Sequence, residues 1–257
     1  VTAITPPHQE RAWSSVMDLA RDRPAELSVE DLAEQAGYSP FHFTRMFTLR
    51  IGISPGQYLT ALRMGRAKEL LLTASDPVID VATAVGYDSL SSFSRRFRSA
   101  VGVPPAQLRQ LADRISDHEV RPFNLTAGAP ASSPGPTSIH LTLEVPPEFD
   151  RRGDPALWVG WYPIPAPIGL PQAGTLMRGR RTVELPLCPG APFLLGLAVP
   201  AGADALDQLA PVDPVVAVHP APITGPESIT LTFARQSPHR AFPLLSALPS
   251  LAVHHTR

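Results

Sequence analysis

The sequence predicts two domains of different class: an all-α unit of about seven helices, then an all-β, antiparallel sandwich. Three observations predict it. Residues 1–121 hold 8 of the 31 prolines and residues 122–257 hold the other 23. The stretch GYSPFHFTRMF at 37–47 returns as GYDSLSSFSRRF at 86–97. Beyond residue 137, short β-rich runs bounded by Pro and Gly replace helical apolar spacing.

The first helix is expected over 9–20, where Ala12, Trp13, Val16, Met17 and Ala20 fall on one face. Ser28 with Asp31 forms a capping-box signal opening a helix over 29–36. Ser39-Pro40, Ser54-Pro55 and Asp76-Pro77 each set a capping side chain before a proline suited to the first helical position. These signals place helices at 40–50, 55–73, 78–85, 89–100 and 105–113. AGAPASSPGPTS, at 127–138, is small, uncharged and proline-rich, and it marks a linker over 122–137. Strands are expected at 138–145, 157–163, 181–187, 193–199, 214–219 and 228–234. In the first and last of these, Ile139, Leu141 and Leu143, or Ile229, Leu231 and Phe233, share a face. The domains are therefore 1–121 and 138–257.

Bulk composition excludes several classes. A hydrophobic content of 44% supports packed cores, and no apolar run approaches the ~18 residues a membrane span needs. The opening VTAITPPHQERAW has no basic-then-apolar leader pattern. Cys188 is the only cysteine, so no internal disulfide can form, and a cysteine-built metal site is not expected. Together these features suggest a cytoplasmic protein without cofactor or metal.

The repeat has a defined register. Asp31/Asp80, Ala33/Ala82, Gly37/Gly86 and Tyr38/Tyr87 are offset by 49 residues, whereas Phe43/Phe93, Phe47/Phe97, Gly52/Gly102, Pro55/Pro105 and Gln57/Gln107 are offset by 50. One residue is inserted where the second helix begins. Each copy reads as helix, Gly-containing turn, helix, which is a helix-turn-helix. The small Ala33 and Ala82 suit a helix crossing, and the i, i+4 Phe pairs fasten each second helix to a core.

Charge follows the same repeat. Residues 18–34 carry six acidic groups against Arg21 and Arg23. Residues 39–71 carry Arg45, Arg50, Arg63, Arg66 and Lys68 against Glu69, and residues 89–109 carry Arg95, Arg96, Arg98 and Arg109 with no acid. A net charge of −1 thus conceals two basic segments where a polyanion would dock. A helix over 55–73 would span about 28 Å at ~1.5 Å per residue. Successive major-groove faces lie ~34 Å apart, so such a helix can hold two reading helices over adjacent turns.

The chain resembles the AraC/XylS family of bacterial transcription regulators over roughly residues 10–110. The second copy carries Asp76-Pro77-Val78, Asp80-Val81-Ala82, Val85-Gly86-Tyr87, Ser89, Ser92-Phe93, Arg95, Phe97-Arg98, Gly102, Pro105 and Arg109. The first carries Leu32-Ala33, Ala36-Gly37-Tyr38-Ser39, His42-Phe43, Arg45-Met46-Phe47, Gly52 and Ser54-Pro55. It departs from the family at the Asp76-Pro77 junction, at Pro104, and at Gly65 inside the linking helix, where glycine costs roughly 1 kcal/mol relative to alanine.

The resemblance implies that the first turns of each second helix face bases. Carried onto this chain, that gives Pro40, Phe41, Thr44 and Arg45, then Leu90, Ser91, Ser94 and Arg95. Arg45 and Arg95 suit guanine O6 and N7, and Phe41 and Leu90 suit thymine methyls. Ser39, His42, Arg63, Arg66, Lys68, Arg96 and Arg98 are expected at phosphates. The implied partners are double-stranded promoter DNA and RNA polymerase, with the protein a monomer or homodimer.

The β half offers no nucleophile motif, phosphate loop or metal spacing, so no catalytic residue is expected. Its histidines are scattered apart from the terminal His254-His255 pair. In LWVGWY, Trp158, Gly160 and Tyr162 share one face, and Val159 and Trp161 share the other. Either both faces are core, or one meets an effector or partner. Trp158, Trp161 and Tyr162, with the Arg178, Arg180 and Arg181 cluster, are the candidates for a surface that contacts a small-molecule effector or a partner, an anionic effector at the arginines. The sequence leaves two roles open for the half: sensing, or protein–protein contact alone.

Overall fold

The computed structural model describes residues 7–115, 121–125, 138–211, 213–236, 245–246 and 250–252. Seven helices fill the first part: α1 (Pro7–Asp22), α2 (Val29–Gln35), α3 (Pro40–Ile51), α4 (Pro55–Thr73), α5 (Val78–Ala84), α6 (Leu90–Val101) and α7 (Pro105–Ile115). Their starts follow the capping chemistry. At α2 both hydrogen bonds of the Ser28–Asp31 box form, and at α4 Ser54 and Gln57 make the same box. Ser39 and Ser89 cap α3 and α6 by accepting from the backbone N–H of His42 and Ser92. At α5 the cap is Pro77, with no side-chain bond, and Asp76 does not serve. The Asp76 carbonyl is instead taken by the Arg109 guanidinium.

Two apolar cores result. The first gathers Trp13, Val16 and Met17 of α1, Leu32 and Ala33 of α2, Phe43 and Phe47 of α3, and Tyr58 and Leu59 of α4. The second gathers Met64, Ala67 and Leu71 of α4 with Val81, Ala82, Phe93, Phe97, Leu108 and Leu111. Helix α4 is thus shared end to end, its first half in one core and its second half in the other. It runs unbroken through Gly65.

The second part is a two-sheet sandwich. Strands β1 (Phe123–Leu125), β4 (Ala173–Met177), β3 (Ala156–Tyr162), β6 (Phe193–Val199), β7 (Val215–Val218) and β9 (Ala234–Arg235) form one sheet in that order. Strands β5 (Thr182–Pro186), β2 (Ser138–Glu144) and β8 (Ser228–Thr232) form the other. Short helices α8 (Pro147–Asp150) and α9 (Ala205–Leu209) lie in connections. Leu157, Val159 and Trp161 of β3 meet Ile139, Leu141 and Leu143 of β2 and Ile229 and Leu231 of β8 across the sandwich.

The β expectations need four corrections. Strands β2 and β8 pair in parallel, so the sandwich is not wholly antiparallel. Residues 123–125, assigned to the linker, form an edge strand against β4, with Asn124 Oδ1 accepting from Thr175 Oγ1 at 2.6 Å. Strand β4 itself was missed: its AGTLM pattern lacks alternation because residues on both of its faces are covered. All seven β3 residues are buried, so Trp158, Trp161 and Tyr162 form no open surface. Trp161 lies in the core with its indole N–H on the Pro186 carbonyl at 2.8 Å, which removes it from the effector candidates. Residues 126–137 of the expected linker and His254-His255 fall outside the described residues.

The two parts do not stand apart. Between β3 and β4, residues 163–170 lie on the helical unit, with Ala166 buried in the first core and Ile168 packed against both. Leu209 of α9 and Leu245 join the second core.

Candidate nucleic-acid interface

Helices α3 and α6 occupy equivalent places. In each, the Phe pair faces inward with ring centroids 5.6 Å apart, and the opposite side of the helix stays open. Gly37 and Gly86 make the preceding turns with φ of 72° and 79°, in the left-handed region that glycine enters most readily. The serine caps then start both helices with free N–H groups satisfied, which fixes where the first exposed turn begins.

On α3, Phe41 is 82% exposed, and Arg45 is exposed one turn on. Leu49, another turn along the same row, is 79% exposed. The expected set omitted Leu49, although the spacing 41, 45, 49 marks one helical face. Thr44 is half-buried, and its carbonyl accepts from the Thr48 hydroxyl at 2.8 Å. His42 is exposed with its ring 4.9 Å from Tyr38. On α6, Leu90, Ser91, Arg95, Arg96 and Arg98 are exposed, and Ser94 is half-buried. The Ser91 and Ser89 hydroxyls are 2.9 Å apart, so Ser91 extends the cap.

Two of the cations expected at phosphates do other work. Lys68 is 1% exposed and donates to the Leu245 carbonyl at 3.1 Å. Arg63 donates from Nε to the Pro24 carbonyl at 2.7 Å and from Nη2 to that of Leu27 at 3.0 Å. Both are corrections to the phosphate set. Arg109 repeats the Arg63 arrangement, donating to the carbonyls of Leu71 and Ala74 as well as Asp76. Arg63 thus ties down the turn between α1 and α2. Arg109 closes the end of α4, where the Leu71 carbonyl lacks an intrahelical partner, together with the segment that follows. Arg66 stays at the surface, 3.0 Å from Glu69.

Residues 32–111 match the family model described as a helix-turn-helix domain. Multiple antibiotic resistance protein MarA of Escherichia coli is 30% identical over 111 residues, which cover 43% of this chain and 87% of MarA. The chain belongs to the AraC/XylS family. The HTH-type transcriptional activator AarP of Providencia stuartii is 35% identical over 83 residues, 32% of this chain and 62% of AarP. Among solved structures, the DNA-binding domain of AdpA, in complex with a target DNA, is 30% identical, covering 40% of this chain and 94% of that one at a TM-score of 0.38.

This AraC-type chain is a DNA-binding regulator of transcription. Its doubled helix-turn-helix lies ahead of the strand-rich part. Among the described residues no helix is long and apolar enough to cross a membrane, and no group of three or more His, Cys, Asp or Glu could hold a metal.

Outside the helical unit the remaining candidates are dispersed. Arg178 donates to the Asp154 carbonyl at 3.2 Å, Arg180 is exposed, and Arg181 is half-buried. Cys188 is buried, its thiol 3.6 Å from Gln172 Oε1, and burial pushes its pKa up, away from the thiolate. The Trp158 indole packs against Gly160 and Gly174, where an added Cβ would stand 2.7 and 2.6 Å from it. Burial also raises the Tyr162 pKa.

Proposed function

We propose that residues 1–121 place α3 and α6 in adjacent major-groove segments of a promoter, so that each copy of the repeat reads its own half-site. The observation that carries this reading is the matched pair Arg45 and Arg95. They are 50 residues apart in the repeat register, both exposed, and each lies on the open side of a helix whose other side holds the paired Phe rings. Phe41 and Leu90 precede them as apolar contacts for thymine methyls, with Thr44, Ser91 and Ser94 at the edge of the same surface. Ser39, His42, Arg66, Arg96 and Arg98 are assigned to the phosphate backbone, which sets register without reading sequence. Leu49 lengthens the α3 row by one turn.

Selection of sites from a random DNA pool by the full chain tests this. Two short motifs separated by about one helical turn support it. A single motif, or binding that only follows salt, removes it.

For the β part, residues 138–257, we propose contact with other proteins. The void lined by Trp158, Tyr162, Pro167, Leu197, Val216 and Ser246 has a volume of about 10 Å³, room for one water at most. RNA polymerase is the protein partner proposed, with the regulator a monomer or homodimer on DNA. Co-sedimentation of polymerase with the full chain on a selected site tests the first point, and the mass of the protein–DNA complex the second.

A further inference from the structure

Residues 163–170, PIPAPIGL, leave β3 and touch the helical unit beside both α3 and α6. Gly52, the residue that ends α3, lies against Pro165, so close that a Cβ there would stand 2.8 Å from the proline ring. Ala166 is fully buried in the first core, and Ile164 packs on it. Ile168 packs against both cores. Gly169 then donates its N–H to the Ala100 carbonyl near the end of α6 at 3.1 Å. A single eight-residue segment therefore runs from the C-terminal end of one second helix to that of the other.

We propose that this segment is a splint: it fixes the distance and angle between α3 and α6, and so the spacing of the two half-sites the protein accepts. The proposal rests on the reading that each helix has its own half-site. The splint is stiff, because three of its eight residues are prolines with φ locked near one value. It also braces a soft point. Helix α4 is the covalent bridge between the two cores, and Gly65 at its middle forgoes the side chain that would favour helix there. Beyond that glycine, Lys68 is tied to the Leu245 carbonyl, so the β part grips α4 as well as the ends of α3 and α6. Ile168 and Pro165 act through the helices, as positioning residues.

Two readouts on the full chain test this. Spin labels at Thr48→Cys and Arg98→Cys, both exposed, with Cys188→Ser to leave no other thiol, report the distance between α3 and α6. The expected result is one narrow distance, lost to a broad distribution in Ile168→Ala but kept in Leu231→Ala, which weakens the sandwich core away from the splint. If Ile168→Ala fails to unfold cooperatively, the milder Pro165→Ala is read the same way. An unchanged narrow distance in a cooperatively folded splint variant overturns the proposal.

In site selection, the wild type should enrich two motifs at a single spacing, and Ile168→Ala the same motifs at several spacings. A single spacing retained by the variant overturns the splint. A wild type that enriches no two-part site, while the distances behave as expected, leaves the splint standing and sinks the half-site reading.

Discussion

Lys68, midway along the second half of α4, donates its ammonium to the carbonyl of Leu245, 177 residues further on, at 3.1 Å in a site closed to solvent. Burial penalises the charged amine and lowers its pKa from 10.5 to about 7, against a smaller opposing pull from Glu69. Below about pH 7 the folded and unfolded chains both carry the proton, so the burial penalty is present in full. Between about 7 and 10.5 the unfolded chain binds more protons, and stability rises with pH. Above that window both forms are neutral.

Lys68→Met should flatten this rise. The wild type is expected to gain on the order of a few kcal/mol between pH 7 and pH 10.5 from this group alone, and the variant to lose that component. Urea midpoints for both proteins at several pH values across the window measure it. Parallel curves would show that Lys68 does not titrate as a buried group.

Lys68 is also the only lysine in the chain, so amine chemistry reads one internal position. With the β part in place, the neutral amine is shielded despite its lowered pKa. Labelling at pH 8 should therefore be much slower at Lys68 than at the N-terminal amine, as scored by peptide mass. Ile168→Ala should speed Lys68 selectively. Fast labelling of the wild type would show that the Leu245 contact is not the resting arrangement.

The pattern of what the sequence disclosed has a physical basis. Helix starts were legible because caps are local: Ser28, Ser39, Ser54 and Ser89 act within three residues of themselves. Strands β2 and β8 were legible because one face of each is solvated and alternation survives. Strand β1 was hidden, since its pairing partner lies about fifty residues away in the chain, and β4 because both of its faces are covered and alternation is lost. Lys68 and Arg63 looked like surface cations because sequence shows a charge but not what will cover it. Their partners, Leu245 and Pro24, are main-chain carbonyls, which leave no mark in a residue string. The open rows of α3 and α6 were anticipated because the Phe pairs fix which side of each helix is buried.

Arg45→Ala and Arg95→Ala should each cost roughly 1–3 kcal/mol on a selected site and relax base preference at one position, in different half-sites. Arg96→Ala, one residue along α6, should weaken all sequences alike and reduce the salt slope by about 1. Binding titrations at three salt concentrations, on the selected site and on random DNA, separate the two kinds of loss. Equal losses on both DNAs for Arg45→Ala and Arg95→Ala would reassign those arginines to phosphates.

Trp161→Phe tests the sandwich core. The indole N–H bonded to the Pro186 carbonyl is lost, and that carbonyl is left without its donor, so a loss of about 1–3 kcal/mol is expected beyond the smaller ring's packing deficit. Thermal unfolding measures it, and DNA affinity at low temperature should be unaffected because Trp161 faces away from the helical unit's cores.

Gly37 and Gly86 make equivalent turns, yet alanine should affect them unequally. Both hold φ in the left-handed region, at 72° and 79°, where an L-residue costs roughly 1–2 kcal/mol. At Gly37 nothing lies within 4 Å of an added Cβ, so that conformational cost is the whole effect. At Gly86 the Cβ would stand 2.6 Å from the Ala25 carbonyl oxygen, which belongs to the turn between α1 and α2 of the other unit. A backbone atom cannot swing aside as a side chain can, so the two units must separate there. Gly86→Ala should therefore destabilise clearly more than Gly37→Ala in denaturant unfolding. It should also alter the distance between labels on α3 and α6, and Gly37→Ala should not. Equal losses and an unmoved distance would mean that the contact between Gly86 and Ala25 yields without disturbing how the two units meet.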